Sequence, residues 1–156
     1  QSEEAKLFGC SVDYNAYTEE ENPKPKGEST NMRSAGVHIH ISYNKPNIST
    51  SLSLIKYMDM YLGIPSVVID PDTRRRSLYG KAGAFRLCKY GFEYRVLSSK
   101  MISDDKYIKF IWNGVSNAVN AYNDGEYYIP SDIVQDVINT SNVTEAKRLI
   151  KKYNLI

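Results

Sequence analysis

The sequence predicts an α+β fold, an antiparallel sheet with helices on one face. Two short segments, 36–42 and 92–96, alternate apolar and polar residues with the period of two that is typical of a half-buried strand. The C-terminal third, 103–156, instead places apolar residues three or four positions apart, which indicates amphipathic helices. Because strands of this kind bury only one face, we expect the helices to cover that face alone.

The first half of the chain is predicted to alternate strands with loops. We expect a strand followed by a turn at 7–17. The segment 19–30 contains a run of glutamates, two prolines and a glycine, which predicts a polar loop. The strand at 36–42 follows this loop and ends before Pro46.

A helix is predicted after that strand. Ser49 or Thr50 is its expected N-cap, and Gly63 and Pro65 are expected to break or kink it. Its apolar stripe consists of Leu52, Ile55, Met58 and Leu62. Asp59 lies off this stripe, so we expect it to face solvent.

Five basic residues and two glycines fall within positions 74–86, between that helix and the second strand. A basic loop with glycines lets backbone N–H and guanidinium groups converge on an anion. A solvated run of charge is the alternative for three adjacent arginines. Because the segment leads directly into the strand at 92–96, we favour an anion-binding loop.

The C-terminal third is predicted to contain three helices. Ser103 is the expected N-cap of the first, whose apolar stripe includes Ile108 and Ile111. Ser131 is expected to start the second helix, and Leu149 lies on the apolar face of the third. We interpret all three as the layer that covers the sheet, and expect no chemistry from them.

Four side chains are expected to form one polar wall, which we define as His38, His40, Glu93 and Arg95. The two histidines are the only ones in the chain, and alternate positions of a strand bring them within roughly 7 Å on one face. An imidazole and a carboxylate suit a divalent cation, and an arginine beside them suits phosphate. For either strand alone, the solvated face of an antiparallel sheet is the simpler alternative.

Composition restricts the class of function. A formal net charge of +2 gives no electrostatic indication of nucleic-acid or membrane binding. No apolar run approaches the length of a membrane helix. Cys10 and Cys88 do not make a disulfide framework, and two isolated cysteines fit a reducing compartment. We therefore expect a cytoplasmic protein that binds neither nucleic acid nor membranes.

Several motifs occur in an order that resembles a known family. They are Phe8-Gly9-Cys10 with Asp13-Tyr14-Asn15-Ala16, Arg33-Ser34-Ala35-Gly36-Val37-His38-Ile39-His40, Leu62-Gly63-Ile64-Pro65-Ser66-Val67, Arg74-Arg75-Arg76 with Tyr79-Gly80-Lys81-Ala82-Gly83-Ala84-Phe85-Arg86, and Tyr90-Gly91-Phe92-Glu93-Tyr94-Arg95. Together they resemble the phage-type COOH-NH2 ligases (amidoligases) of the glutamine synthetase and glutamate–cysteine ligase superfamily. The resemblance covers the segment 7–100.

The resemblance implies a bacteriophage protein of the host bacterial cytoplasm that joins a carboxylate to an amine. In that superfamily ATP phosphorylates the carboxylate, and the amine attacks the acyl phosphate with Mg²⁺ or Mn²⁺ present. The implied roles are metal binding for His38 and Glu93, catalysis for Arg95 and Arg76, and nucleotide binding for His40, Arg75, Lys81 and Arg86. The expected fold is then a glutamine synthetase-like catalytic half-fold.

The resemblance further implies that 1–156 is one domain, the C-terminal portion of an amidoligase-like fold. Sheet and site motifs are expected at 7–100, and the helical layer at 103–156. The family's acidic N-terminal strands have no counterpart in this sequence, so we expect half an active site that an N-terminal companion fragment or a second copy completes. The alternative is a non-catalytic phage protein that uses the half-fold for protein–protein assembly. A cupin-like metalloenzyme is disfavoured, because no glutamate follows the two histidines before the helix.

Overall fold

Four short strands form one antiparallel sheet in the order β1-β3-β4-β2. They are β1 (Tyr14–Asn15), β2 (Ile39–Ser42), β3 (Ala84–Cys88) and β4 (Gly91–Tyr94). The structure is a computed structural model that describes residues 13–23, 35–126 and 129–156. The first part of the strand predicted at 7–17, and much of the predicted loop at 19–30, lie outside those residues.

The helices occupy the connection between β2 and β3 and the C-terminal third. They are α1 (Ile48–Met58), a π-helical turn (Asp59–Gly63), α2 (Ile64–Ile69), α3 (Thr73–Leu78), a 3₁₀ turn (Ser99–Ile102), α4 (Asp105–Asn123), α5 (Ser131–Thr140) and α6 (Val143–Tyr153). The sheet and the helices together confirm the predicted α+β class.

The register of the sheet separates an apolar face from a polar face. Tyr94 pairs with both Ile39 and Phe85, and this row joins the core with the helices. Glu93 pairs with both His40 and Arg86, one position along each strand, so this second row lies on the opposite face. The strand alternation predicted from the sequence is therefore present in the fold.

A continuous helix from Ile48 to Ile69 runs through the core. Asn47 caps it by accepting a hydrogen bond from Thr50 N at 2.9 Å, so the cap lies two residues before the earlier of the two predicted positions. The break predicted at Gly63 and Pro65 is wrong, because the helix continues through both residues. The irregularity here is the π-helical turn that ends at Gly63, after which Pro65 lies in the first turn of α2.

The same continuous helix is long and apolar enough to cross a membrane by length and composition. The prediction that no segment reaches that length is therefore wrong. Of the most apolar 18-residue window in this helix, 78% is buried inside the protein, as in the core helix of a globular fold.

Helix α4 packs against the long helix through small residues. At Gly114 a Cβ would lie 2.9 Å from Leu62 Cγ and 3.0 Å from Tyr61 O, so the helices approach more closely than a side chain there allows. Asp104 rather than Ser103 is the N-cap, with its side chain accepting from Lys106 N. The predicted stripe is partly wrong, because Ile108 is exposed and the buried residues are Gly114, Ala118 and Ala121.

Candidate functional site

The polar face of the sheet brings the predicted polar wall together. Neighbouring strands place His40, Glu93 and Arg86 side by side in one row. Arg95 follows Glu93 by two residues, so the same alternation directs it to this face. The predicted assembly of the wall from two strands is confirmed by this register, and β3 adds Arg86 to it.

Arg95 is the centre of a hydrogen-bonded network. Its Nη1 donates to Glu93 Oε2 at 2.8 Å and contacts His38 Nδ1 at 3.1 Å. Its Nε donates to Asp13 Oδ1 at 3.0 Å. Two carboxylates and an imidazole thus fix a single buried guanidinium, and Arg86 contacts the same Glu93 oxygen at 3.4 Å.

These contacts set the charge states of the wall. Burial acts to raise the pKa of Glu93, but the hydrogen bond from Arg95 and the charges of Arg86 and Arg95 outweigh it and lower that pKa. Burial and the Arg95 charge lower the pKa of His38, so its ring is neutral near pH 7. A neutral ring leaves Nδ1 free to accept from Arg95, which puts the proton on Nε2.

Asp13 belongs to this network, although the sequence interpretation gave it no role. It lies immediately before β1, and β1 pairs with β3 beside Arg86. The sequence offered only a weak signal, because the polar–aromatic–polar run of Asp13, Tyr14 and Asn15 is shorter than the roughly four to eight residues over which strand alternation is recognised.

A second group of titratable side chains lies where β3 turns into β4. His40 Nδ1 is hydrogen-bonded to the Tyr90 hydroxyl, and Cys88 Sγ donates to Glu93 Oε1 at 3.7 Å. The hydrogen bond to Cys88 and, after it, a desolvation effect raise the pKa of the exposed Tyr90 side chain to about 12. The sequence reading gave neither Cys88 nor Tyr90 a role in the site.

Arg75 is held at one end of the sheet by backbone carbonyls. Its Nη1 donates to Val96 O at 3.2 Å and its Nη2 to Leu97 O at 2.7 Å. Gly80, at a φ of +69°, passes so close to this guanidinium that a Cβ would collide with it. Glycine at this position therefore makes room for Arg75, and also adopts a φ that other residues rarely take.

The segment 74–86 differs from the predicted loop. Its first three arginines, Arg74, Arg75 and Arg76, lie in helix α3, which Asp72 caps by accepting from Arg75 N at 3.1 Å. The N–H groups that were expected to face an anion are used inside the protein, since Ala82 N donates to Asn139 Oδ1 and Gly83 N to Asp59 Oδ2. The interpretation of this segment as a backbone anion-binding loop is therefore wrong for those two groups.

The other candidates in this segment lie in different surroundings. Arg76 is 2% exposed and donates to Gly80 O and Ser66 Oγ, both at 2.9 Å. Lys81 is half-buried in the turn before β3, and its ammonium forms no ion pair with the described residues. Among the described residues neither side chain forms a hydrogen bond or an ion pair with the polar wall, so the roles assigned to them stay predictions.

Asp59 was expected to face solvent, and that expectation is wrong. It is 0% exposed, and its carboxyl accepts from Tyr94 Oη at 2.7 Å, Gly83 N at 2.6 Å and Tyr17 Oη at 3.0 Å. Burial raises its pKa to about 7 against the effect of these donors. The missed signal was the spacing: Asp59 follows Leu52 by seven residues and therefore lies on the same helix face.

The described residues do not by themselves fit a divalent-metal site. His38 Nδ1 and Glu93 Oε2 are 3.9 Å apart, but Arg95 Nη1 contacts both of them. Within 13–23, 35–126 and 129–156 no group of three His, Cys, Asp or Glu side chains is placed to hold a metal ion. The metal-binding roles of His38 and Glu93 therefore stay predictions.

Arginines and a neutral imidazole on one face of an antiparallel sheet are groups that suit an oxoanion. The sequence matches the profile of the family described as "Phage phiEco32-like COOH.NH2 ligase-type 2" over residues 27–113, more than half of the chain. The chain belongs to this family, and the match indicates a ligase-type activity between COOH and NH2 groups. It matches no curated protein and no solved structure, so the likeness to a glutamine synthetase half-fold stays a prediction.

Proposed function

We propose that this protein is an ATP-dependent carboxylate–amine ligase that forms an amide bond through an acyl phosphate. The observation that supports this most directly is the pair of guanidiniums, Arg86 and Arg95, converging on Glu93 beside the two histidines. The proposed ligands are a nucleotide and a carboxylate–amine substrate pair, and the proposed setting is the cytoplasm of a phage-infected bacterium.

Phosphoryl transfer to a carboxylate moves negative charge between two anions that repel each other. A buried, fixed guanidinium lowers that barrier, because it does not need to reorganise when the charge moves. Arg95 fits this role, since Asp13, Glu93 and His38 hold it from three directions. Arg86 is more exposed and is the proposed contact for nucleotide phosphate, together with His40.

The amine must lose a proton when it attacks the acyl phosphate. His38 is proposed to hold Arg95 rather than to take up this proton, because its Nδ1 already accepts from Arg95 and its Nε2 carries the ring proton. The departing phosphate is the proposed proton acceptor. Glu93 is proposed to orient Arg95 and Arg86 rather than to take up the proton, since its pKa is lowered.

We include Mg²⁺ or Mn²⁺ with the nucleotide in the proposal, and only membership of the family supports this ion. The described residues offer too few carboxylates for such an ion, and both carboxylates at the wall are already paired with Arg95. An N-terminal companion fragment or a second copy of the chain is the proposed source of further ligands.

Calorimetric titration of ATP, with and without Mg²⁺, tests the nucleotide site. We expect Arg95→Gln to weaken binding at least about tenfold. Arg74→Gln is the matched control, because Arg74 belongs to the same basic run but is exposed and outside the wall. Equal affinities of the two variants, or no binding by the folded wild-type chain, would contradict the proposal and favour the assembly function instead.

Trapping of the acyl phosphate tests the chemistry. Hydroxylamine is a small nucleophile that converts an acyl phosphate into a hydroxamate, so it replaces the unidentified amine. We expect ATP-dependent hydroxamate formation with at least one member of a carboxylate panel, and loss of this product in Arg95→Gln. Hydroxamate at equal yield without ATP would contradict an acyl-phosphate route.

A further inference from the structure

We propose that a small pocket beside the polar wall is a binding subsite for one oxoanion group, a carboxylate or a phosphoryl group. Its lining includes Asp13, Gly36, His38, Arg75, Gly80 and Arg95. This assignment rests on the proposed function, because it places one anionic group of a substrate next to Arg95. The observation that supports it most directly is Arg75, a buried cation that has no counter-ion among the described residues.

No described carboxylate lies in direct contact with the Arg75 guanidinium, although the charges of Asp70 and Asp72 act on it from a greater distance. Its side chain is 5% exposed, it forms no ion pair with a described carboxylate, and its Nε has no hydrogen-bond partner. Two carbonyl contacts satisfy part of the guanidinium but carry no net charge. Since an unpaired buried charge is strongly unfavourable, a bound anion would stabilise this arrangement.

The balance of charge over the pocket lining favours an anion. In this lining Arg95 is paired with Asp13 at 3.0 Å, whereas Arg75 forms no ion pair with a described carboxylate. Burial lowers the pKa of Arg75 to about 10, so the guanidinium is still charged at neutral pH. A monoanion would complete the charge balance.

The size of the pocket limits what enters it. Its volume is about 160 Å³, below the roughly 300–1,000 Å³ of pockets that enclose a whole drug-sized ligand. One carboxylate or phosphoryl group fits such a space, whereas a complete nucleotide does not. We therefore infer that the rest of the ligand lies outside, along the polar face.

Gly36 offers a way to fill the pocket without removing a charged group. A Cβ at this position would lie 3.5 Å from Leu97 O and 3.6 Å from His38 Nε2, which are ordinary contacts. The larger side chain of Gly36→Val extends further toward His38 and occupies pocket volume. Gly36→Ala is the matched control, since it makes the same backbone change and leaves most of the pocket open.

The ring protons of the two histidines report anion binding, because His38 lines the pocket and His40 serves as the internal control. In the full 156-residue chain, ¹H NMR resolves the ring protons of His38, which lines the pocket, from those of His40, which lies outside its lining. Sodium phosphate and sodium acetate are titrated separately against sodium chloride at equal ionic strength. We expect a saturable shift of His38 in wild type and Gly36→Ala, and at least about tenfold weaker anion binding in Gly36→Val.

Each outcome decides the assignment. Saturation with phosphate alone supports a phosphoryl subsite, and saturation with acetate alone supports a carboxylate subsite. No response beyond that to chloride, or equal affinities in Gly36→Val and Gly36→Ala, would overturn the subsite. Because these titrations contain no nucleotide, an anion response without ATP binding would refute the proposed ligase site and leave the subsite standing.

Discussion

On the helix side of β4, Asp59 accepts three hydrogen bonds in the core, and no cation forms an ion pair with it within the described residues. On the opposite side of the same strand, Glu93 lies between two guanidiniums. Burial raises the pKa of Asp59, whereas the arginines lower the pKa of Glu93 despite its partial burial. Asp59 thus joins separate segments of the fold through hydrogen bonds. Glu93 instead neutralises and orients the arginines of the polar wall.

The largest effect on stability is expected at Asp59. In Asp59→Ala three donors lose their acceptor, two of them fully buried, so we expect the free energy of unfolding to fall by about 3–5 kcal/mol. Urea denaturation measures this loss. Asp59→Asn keeps an acceptor oxygen and serves as the control with a smaller loss. A loss below about 1 kcal/mol in Asp59→Ala would contradict the role of Asp59 in stabilising the core.

The pH dependence of stability should differ in sign between the two carboxyls. The pKa of Asp59 is raised to about 7, so the stability it contributes is complete at acid pH and is lost as pH rises from about 4 to 7. The shift corresponds to up to about 4 kcal/mol. Unfolding of wild type and Asp59→Asn across this range measures the effect. A difference between them that does not change with pH would contradict it.

Glu93 is expected to show the opposite sign. Its pKa is lowered, so its contribution to stability is present at neutral pH and is lost as pH falls through the folded-state pKa. Comparison of wild type with Glu93→Gln below pH 5 measures this loss. If the stability differences of Asp59→Asn and Glu93→Gln from wild type changed with pH in the same direction, the expected opposite signs would be contradicted.

An intermediate effect is expected for the tyrosines that bind Asp59. Tyr94→Phe removes a buried donor at 2.7 Å and is expected to cost about 1–2 kcal/mol, whereas Tyr17→Phe, half-buried at 3.0 Å, should cost less. Each variant should also raise the pKa of Asp59 further, because a donor that favours the ionised form is gone. Denaturation at several pH values reports both quantities, and a larger loss for Tyr17→Phe would reverse the expected order.

The smallest effect on stability, with the largest effect on function, is expected for Glu93→Gln. An amide of the same shape keeps one acceptor for Arg95, and Asp13 remains as its counter-ion, so we expect a loss of about 1 kcal/mol. It also frees the two arginines from their shared counter-ion, and we expect hydroxamate formation to fall at least about 100-fold as Arg95 loses its fixed position. Unchanged turnover would contradict the role of Glu93 in the wall.

The polar wall was predictable because strand periodicity determines which face a side chain takes. Once 36–42 and 92–96 were identified as strands, only their adjacency was missing, and the sheet supplies it. Asp13 was harder to place, because β1 is two residues long and its pairing with β3 is a long-range contact. No local pattern reports a contact between segments so distant in sequence.

Sequence periodicity alone could not predict the burial and the hydrogen-bond partners of Asp59 and of the arginines of α3. A charged residue on a helix is usually solvated, and nothing within Met58-Asp59-Met60 shows that two tyrosines and a backbone N–H meet it. Arg75 and Arg76 read as a solvated or ligand-binding run, whereas backbone carbonyls and a serine bind most of their donors. In both cases the decisive partners come from other elements of the fold.

The contacts of Asp59 also bear on how the chain folds. Its three partners are 42, 24 and 35 residues away in sequence. The π-helical turn therefore gains these hydrogen bonds only after long loops have closed, which slows folding relative to a fold with mostly local contacts. We expect the long helix to form early through its apolar contacts, and β1, β3 and β4 to lock onto Asp59 late. Substitutions at Asp59 should then accelerate unfolding far more than they slow refolding.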